Sequence, residues 1–429
     1  MIELIDSPAD VAADVAADVA TDVATDVATD VAADVAADSP TDFAAGLLAD
    51  VDGLRAIGLG EALRRQLAHG VADARLRPLR LIEVQREHWL LHDGRAAYRA
   101  RCSPALAHDL AAEADALAVG DWVLAWPDAA GGCQITCRLP PRNQITRRTA
   151  NGRAKDGRGA AQRQVLVSNV DTALLVMGLD HDFQLRRLER YLALVRLAGV
   201  AAVLLLSKAD TVAPELAAQR LAQAADILPP QMPALALDLR QPAVAGALAA
   251  WLQPGQTLVL LGSSGAGKST LANTLMRAFS DVVAGAAGVP DDPTGRLTGA
   301  ARADDSRGRH TTTVRTLLPL AGGACIIDTP GLRALRLDVD DADQLADAFG
   351  DVACFAPLCR FRDCHHQQEP GCAVREAVPE PRLRNYQKLL REASRDSLTV
   401  RQRHEQVAQW KARGRAGQAR ARAKREADV

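Results

Sequence analysis

Leu258-Val259-Leu260-Leu261-Gly262-Ser263-Ser264-Gly265-Ala266-Gly267-Lys268-Ser269-Thr270 is the stretch on which the reading of this chain turns. An apolar run ends in Gly-x4-Gly-Lys-Ser, the full phosphate-loop pattern, and an amphipathic run follows it. Each residue type has a chemical reason to be there. The glycines let successive backbone N–H groups turn inward around phosphates, Lys268 reaches the β and γ phosphates, and the Ser269 hydroxyl can hold Mg²⁺. A helix starting near Lys268 and running through Leu271, Leu275 and Met276 adds its positive end to the same site.

The flanking sequence repeats this alternation. Apolar or strand-like runs at 172–177, 201–206, 234–237, 257–261, 313–318 and 324–327 are separated by helical patterns at 184–197, 213–226, 241–252 and 268–278. Near-continuous apolar strands between helices predict an α/β domain with a mainly parallel sheet covered on both faces. A site then belongs at the carboxyl ends of the strands. Three polar motifs fall there. Asp328-Thr329-Pro330-Gly331 ends a strand, with Asp328 placed to hold Mg²⁺ through water and the Gly331 N–H to sense a γ phosphate. Thr311, Thr312 and Thr313 follow Gly308-Arg309-His310, and one of them, Thr312 as our choice, completes a Mg²⁺ shell. Ser207-Lys208-Ala209-Asp210 ends another strand. Asp210 can accept from N1–H and the 2-amino group of guanine while the Lys208 stem lies over the base, and adenine offers no such donor pair. The base-reading motif precedes the phosphate loop, the reverse of the order in ordinary small GTP-binding domains, so the domain is expected to be circularly permuted. Its ends, near Asn169 and Arg336, are expected on neighbouring strands.

Outside this domain the composition shifts. Aspartates at 10, 14, 18, 22, 26, 30, 34 and 38 punctuate an Asp-Val-Ala-Ala/Thr repeat. A period of four drifts about 40° per repeat against the helical turn, so the valines wind around a helix instead of forming one face. Residues 1–41 therefore read as a disordered acidic arm, followed by short helices over 42–77. Short strands at 79–84, 89–91, 98–101, 121–126 and 133–136, separated by turn residues, predict a small five-stranded barrel over 78–148. Residues 149–168 read as a basic linker, 169–337 as the nucleotide domain, and 338–392 as a helical metal-binding domain. In that last domain Cys359-x4-Cys364-x-His366-x5-Cys372 offers three thiolates and an imidazole, the donor set of structural Zn²⁺, one ion per chain, with Cys354 and His365 nearby as spares. Residues 393–429 form a basic helix or tail. Its stretch from Arg401 to Val429 carries nine Lys or Arg against three acidic residues, suited to RNA phosphate.

The formal net charge of −2 hides this polarity between an acidic start and a basic end. Clustering of three of the eight cysteines in metal-ligand spacing indicates a reducing compartment and not a disulfide scaffold. There is no basic-then-apolar leader and no bilayer-length apolar run, so the expected location is the cytoplasm, with no membrane partner.

Taken together these residues resemble the ribosome small-subunit-dependent GTPase A (RsgA) family of circularly permuted GTPases. The resemblance spans about Leu79 to Leu390 and rests on Gly120-Asp121-Trp122-Val123, Asn169-Val170-Asp171, Leu188-Glu189-Arg190-Tyr191, Ser207 to Asp210, Gly262 to Thr270, Gly308 to Thr313, Asp328 to Gly331, and Cys359 to Cys372 with Glu369-Pro370-Gly371 inside it. It implies an OB-type barrel, a GTPase and a zinc domain in a monomer that docks on the small (30S) ribosomal subunit and its 16S rRNA. It implies late subunit maturation, with GTP hydrolysed to GDP and phosphate at a rate the subunit stimulates. Lys268 and Thr312 then serve catalysis, and His310 is the polar residue that the family places nearest the attacking water. Leu332, after Gly331, is apolar and cannot orient water, so the isolated enzyme is expected to be slow. Ser207 stands where Asn is common, which puts a contact bracing the phosphate loop in doubt. Residues 236–240 lack the Ser-Ala pair that makes the last guanine contact in many members. Two other classes fit the same loop: an ATP-using P-loop enzyme, and an RNA-binding assembly factor with a vestigial nucleotide pocket.

Overall fold

The computed structural model describes residues 51–70, 73, 76–85, 88–127, 132–148, 163–284, 314–331, 336–339 and 342–397. The acidic repeat, the 149–162 segment, the His310 to Thr313 motif, Leu332 and the basic tail beyond 397 lie outside the described residues.

Two short helices, α1 (Val51–Ala56) and α2 (Glu61–Gly70), lead into five strands: β1 (Arg77–Val84), β2 (Trp89–His92), β3 (Ala97–Cys102), β4 (Trp122–Pro127) and β5 (Cys133–Arg138). Helix α3 (Pro104–Ala112) sits between β3 and β4, its Ser103 cap accepting from the Leu106 N–H. The order β1-β2-β3-β5-β4, with β4 pairing back to β1, closes the sheet into the expected barrel. Closure removes the free edges, and Leu81, Leu91, Val123, Ala125 and Ile135 fill the interior.

A second sheet was not foreseen as such. β6 (Gln144–Arg148) and β7 (Arg163–Ser168) pair antiparallel, and β14 (Arg336–Leu337) adds to β6. The stretch read as a linker to 168 therefore ends in a strand. The apolar Val165-Leu166-Val167 run is short enough to be masked by the basic residues around it. The expectation that the two ends of the nucleotide domain leave from neighbouring strands is corrected by the same sheet. Arg336 lies on β14 and Asn169 follows β7, with β6 between those strands.

The large sheet runs β10-β9-β8-β11-β13-β12, using β8 (Thr172–Gly178), β9 (Ala201–Ser207), β10 (Ala234–Ala236), β11 (Thr257–Gly262), β12 (Thr316–Pro319) and β13 (Cys325–Asp328). All pairings are parallel except β12 with β13. Both faces of β8 and β11 are buried, as their unbroken apolar sequences require. Helices α4 (Leu185–Leu197) and α5 (Pro214–Ala225) pack on one face, α6 (Ala243–Ala247) and α7 (Lys268–Ala284) on the other. The helical pattern read over 241–252 yields only the five residues of α6, because the chain turns from Leu248 onward as it approaches Pro254.

Helices α8 (Ala342–Ala348), α9 (Gly350–Phe355), α10 (Ala373–Ala377) and α11 (Glu380–Ser397) have no separate core. Phe349, Val352, Leu383, Tyr386 and Leu389 join Leu188, Tyr191 and Leu192 of α4 in one cluster. At its centre the Glu189 carboxylate accepts from Arg382 Nη1 at 3.1 Å and Asn385 Nδ2 at 2.5 Å, and Arg382 also pairs with Asp351. Burial pushes the Glu189 carboxyl up while Asn385 and Arg382 pull it down. Removing Arg382 strands that carboxylate, so Arg382→Ala is expected to cost about 3 kcal/mol of stability at neutral pH. The variant's Glu189 rises further above its unfolded value. Folded-state stability is then recovered as pH falls through the raised pKa and lost as pH climbs past it. Denaturant unfolding of R382A and the parent at several pH values should show the deficit shrinking on the acid side; a pH-independent deficit would refute this account.

Candidate functional site

At the carboxyl ends of β8, β9, β11 and β13 the loops surround a cleft of about 460 Å³. Ser207, Lys208 and Asp210 line one end, and Ser264, Gly265, Gly267, Lys268, Ser269, Thr270, Thr329 and Gly331 the other. Residues that succeed one another in inverted order thus face one space, because β8 lies between β9 and β11 in a parallel sheet.

The phosphate-loop end is built by its own backbone. Gly265 and Gly267 adopt φ of 82° and 103°, a region that costs other residues strain, and α7 begins at Lys268. The Lys268 ammonium is buried and donates to the Gly262 and Ser263 carbonyls at 3.1 and 2.8 Å. Desolvation lowers its pKa, opposed by Asp328 and Asp182. Ser207 Oγ donates to the Ala266 carbonyl at 2.6 Å, so the shorter side chain reaches the loop directly. Ser269 Oγ donates to Asp328 Oδ2 at 3.1 Å, while Asp328 Oδ1 is buried with no hydrogen-bond partner. Burial raises the Asp328 pKa against the pull of Ser269 and Lys268. A buried carboxylate oxygen left unpaired beside a serine hydroxyl is costly unless a cation completes it, so the pair fits a divalent ion.

At the opposite end of the cleft Lys208 takes a left-handed conformation, φ 62°, and its ammonium bonds Asp180 Oδ2 at 2.8 Å, laying the stem along the cleft. Burial works to raise the Asp180 carboxyl, but Lys208 and the Asp182 N–H outweigh it and hold it below the usual range. Asp182 accepts from the Gly178 N–H at 3.1 Å and from Ser263 Oγ at 2.6 Å, and it pairs with Arg187. One loop therefore holds both Lys208 and the phosphate loop. Sequence reasoning passed over Asp180 and Asp182; their position just beyond an apolar strand, where the site must be, was the available signal. It also left Asp238 and Arg240 unassigned, and both line the cleft. Of the site residues named from sequence, His310 and Thr312 lie outside the described residues.

The second site is the cysteine cluster. Cys359, Cys364, His366 and Cys372 present ligand atoms all within 4.8 Å of one another. Cys354 and His365 are not part of it. The Glu369 carboxylate accepts its own backbone N–H and those of Gln367, His365 and Gln368, which together hold its pKa down at about 2 and shape the loop that presents His366. Gln387 of α11 donates to the His366 carbonyl at 2.6 Å.

Residues 139–338 match the model of the RsgA GTPase family. The chain is 40% identical over 319 residues to a protein of Xanthomonas oryzae pv. oryzae (strain PXO99A) named small ribosomal subunit biogenesis GTPase RsgA; the match covers 73% of this chain and 79% of that protein. A protein of the same name from Opitutus terrae is 41% identical over 327 residues, covering 73% and 83%. Among solved structures, YjeQ from Thermotoga maritima superposes with a TM-score of 0.51 at 20% identity over 74% of this chain and 98% of its own. YloQ, described as a circularly permuted GTPase, gives 0.50 at 19% identity over 76% and 97%.

Gly331 provides a direct probe of the cleft. A Cβ built there falls 2.5 Å from the Ser264 N and 2.6 Å from its Cα, a clash with loop backbone that cannot be relieved by a rotamer change. Gly331→Ala should displace the loop and weaken binding of a fluorescent guanine nucleotide at least tenfold, roughly the loss of one charge-assisted hydrogen bond, while far-UV circular dichroism stays unchanged.

Proposed function

The chain belongs to the RsgA GTPase family, and on that premise we propose that it hydrolyses GTP to GDP and phosphate during maturation of the small ribosomal subunit, with turnover stimulated by that subunit. The observation carrying this reading is the shared cleft of Asp210 and Lys268. Asp210 accepts from N1–H and the 2-amino group of guanine, the Lys208 stem lies over the ring, and Ser207 holds the phosphate loop in place. Lys268 sits with the loop amides at the transferring phosphoryl group, where fixed donors favour charge as it develops.

Mg²⁺ fits between Ser269 and Asp328, for the reason their unpaired oxygen gives, and when bound it supplies countercharge to the phosphates. Zn²⁺ fits the Cys359, Cys364, His366 and Cys372 donors. Bonds of about 2.3 Å to sulfur and 2.0 Å to nitrogen at tetrahedral angles put two sulfurs roughly 3.8 Å apart and sulfur and nitrogen roughly 3.5 Å apart. The Cys359 and Cys372 sulfurs are 3.9 Å apart, and His366 Nδ1 lies 3.6 and 3.4 Å from them. All four positions are taken by protein, so its role is structural, joining loops whose own core is small. Contact with 16S rRNA falls to the barrel, whose β3 exposes Arg99 and Arg101 on alternate positions.

The test of the function is GTP turnover alone, with purified small subunits, and with large subunits as control. Small subunits should raise the rate, large subunits should not, and Lys268→Ala should lower stimulated turnover by at least a hundredfold, the scale of losing one transition-state contact. ATP competing equally with GTP would sink the base assignment, and turnover indifferent to small subunits would sink the assembly role. The metal reading is checked separately. The parent should bind one zinc per chain, and Cys372→Ser should lose it and melt at lower temperature while the phosphate loop still binds nucleotide; an unchanged zinc content would refute the site.

A further inference from the structure

We propose that Arg240 reads the 6-oxo group of the bound base, so that Arg240 and Asp210 form a two-residue reader of the guanine edge. This deepens the guanine-nucleotide reading of the cleft and rests on it.

The geometry starts from a carboxylate. Asp238 accepts the Arg240 backbone N–H at 3.1 Å and its Nε at 3.0 Å, with Nη2 at 3.3 Å from the second oxygen. Gln241 Nε2 donates to that same second oxygen at 3.0 Å. The four residues from Asp238 to Gln241 thus clamp their own guanidinium, and the ordering entropy of a long side chain is partly spent before any ligand arrives. Held this way, Nη2 lies 2.6 Å from Asp210 Oδ2, and both residues line the cleft beside Lys208. Nη1 has no hydrogen-bond partner among the described residues, which leaves two donors on the fork available. Arg240 is 64% exposed, so its pair with Asp210 is weak and can be shared with a ligand at little cost.

The chemistry of the edge then decides the ligand. Guanine presents, side by side, an acceptor at O6, a donor at N1 and a donor at the 2-amino group. A guanidinium donor next to a carboxylate acceptor is the complement of that row. Adenine presents a donor at the 6-amino group and an acceptor at N1, so each partner would meet its own kind and be left unpaired. Arginine donating to O6 is also a favoured contact to guanine in the major groove of DNA. Arg240 therefore supplies a contact that segment 236–240 otherwise lacks an evident group for.

The experiment is equilibrium binding of three nucleoside diphosphates to the full chain with Mg²⁺, comparing the parent with Arg240→Ala and Arg240→Lys. GDP carries the whole edge, IDP lacks the 2-amino group, and 6-thio-GDP replaces O6 with a poor acceptor. R240A should weaken GDP and IDP by a similar factor, roughly five- to tenfold for a hydrogen bond from a charged donor, and should change 6-thio-GDP by less than twofold. R240K should recover part of the preference for the oxo bases. No loss of GDP binding, equal loss for all three ligands, or tighter GDP binding would each overturn the proposal. Equal loss would mean that Arg240 only orients Asp210; tighter binding would mean that it competes for that carboxylate. Asp210→Asn, measured in parallel with GDP and XDP, separates this from the premise. If D210N does not trade GDP for XDP, the guanine reading itself fails. If it does and the R240A pattern is flat, only the Arg240 inference falls.

Discussion

The 2.6 Å hydrogen bond from Ser207 Oγ to the Ala266 carbonyl joins the end of β9 to the phosphate loop after β11. Those strands are not neighbours; β8 separates them. In a parallel sheet every strand points its carboxyl end the same way, so loops two strands apart emerge on one rim, about 10 Å from each other at the usual strand spacing. A side chain can span that gap only if both loops curl across the end of β8, and Gly262 makes the curl possible. A Cβ at Gly262 would lie 2.3 Å from the Val176 carbonyl of β8. The site depends on this close approach, and chain order has no bearing on it. What matters is which strand ends share a rim, and that is why a permuted chain keeps a single cleft.

Two aspartates extend the same logic. From the loop after β8, Asp180 holds Lys208 while Asp182 holds Ser263. The Lys208 end and the Ser263 end of the cleft are therefore fastened to one short segment, three residues long. A nucleotide that spans the cleft meets two recognition surfaces already fixed at a common distance, which lowers the ordering cost of binding. Charge balance supports the arrangement. Lys208 has its ammonium neutralised by Asp180, and the residue lines the cleft.

The parts of this molecule that were legible in the sequence are those in which local pattern and chemistry coincide. Glycines in the phosphate loop, unbroken apolar strands such as Val259-Leu260-Leu261, and Cys-x4-Cys-x-His-x5-Cys each encode a structure within a few residues. The barrel was legible for the same reason, since period-two runs and turn residues are local. Features made by long-range pairing were not. β14 is two residues long and exists only because Arg148 and Arg147 of β6 lie opposite Arg336 and Leu337. Arg240 reads as a solvated surface charge until Asp210, thirty positions earlier, is placed beside it. Arg80 looks like an ordinary polar position of an alternating strand, yet it is fully buried, with its guanidinium 5.4 Å from the Trp122 ring.

Arg80 shows what holds the barrel to the nucleotide domain. Its Nη1 donates to the Ile57 carbonyl and its Nη2 lies 3.4 Å from the Asn169 carbonyl, so one side chain touches the lead-in helices, a barrel strand and the start of the large sheet domain. Among the described residues no carboxylate pairs with it, and burial, helped by the nearby Arg142 charge, pulls its pKa down against the more distant Asp171 and Asp121. A buried guanidinium without a counterion is tolerated only where carbonyl dipoles and a ring face are held in position around it. Any displacement of the barrel strips it of those partners and exposes the full desolvation penalty. The joint at Arg80 is therefore stiff, unlike an apolar seam, which slides at low cost. At the opposite boundary Glu189 and Arg382 make the same kind of joint, with both charges now present and satisfying each other. The nucleotide domain is thus gripped on two sides by buried polar contacts that specify one orientation, and a rigid partner engaging both the barrel and the C-terminal helices would bear directly on the domain joined to both.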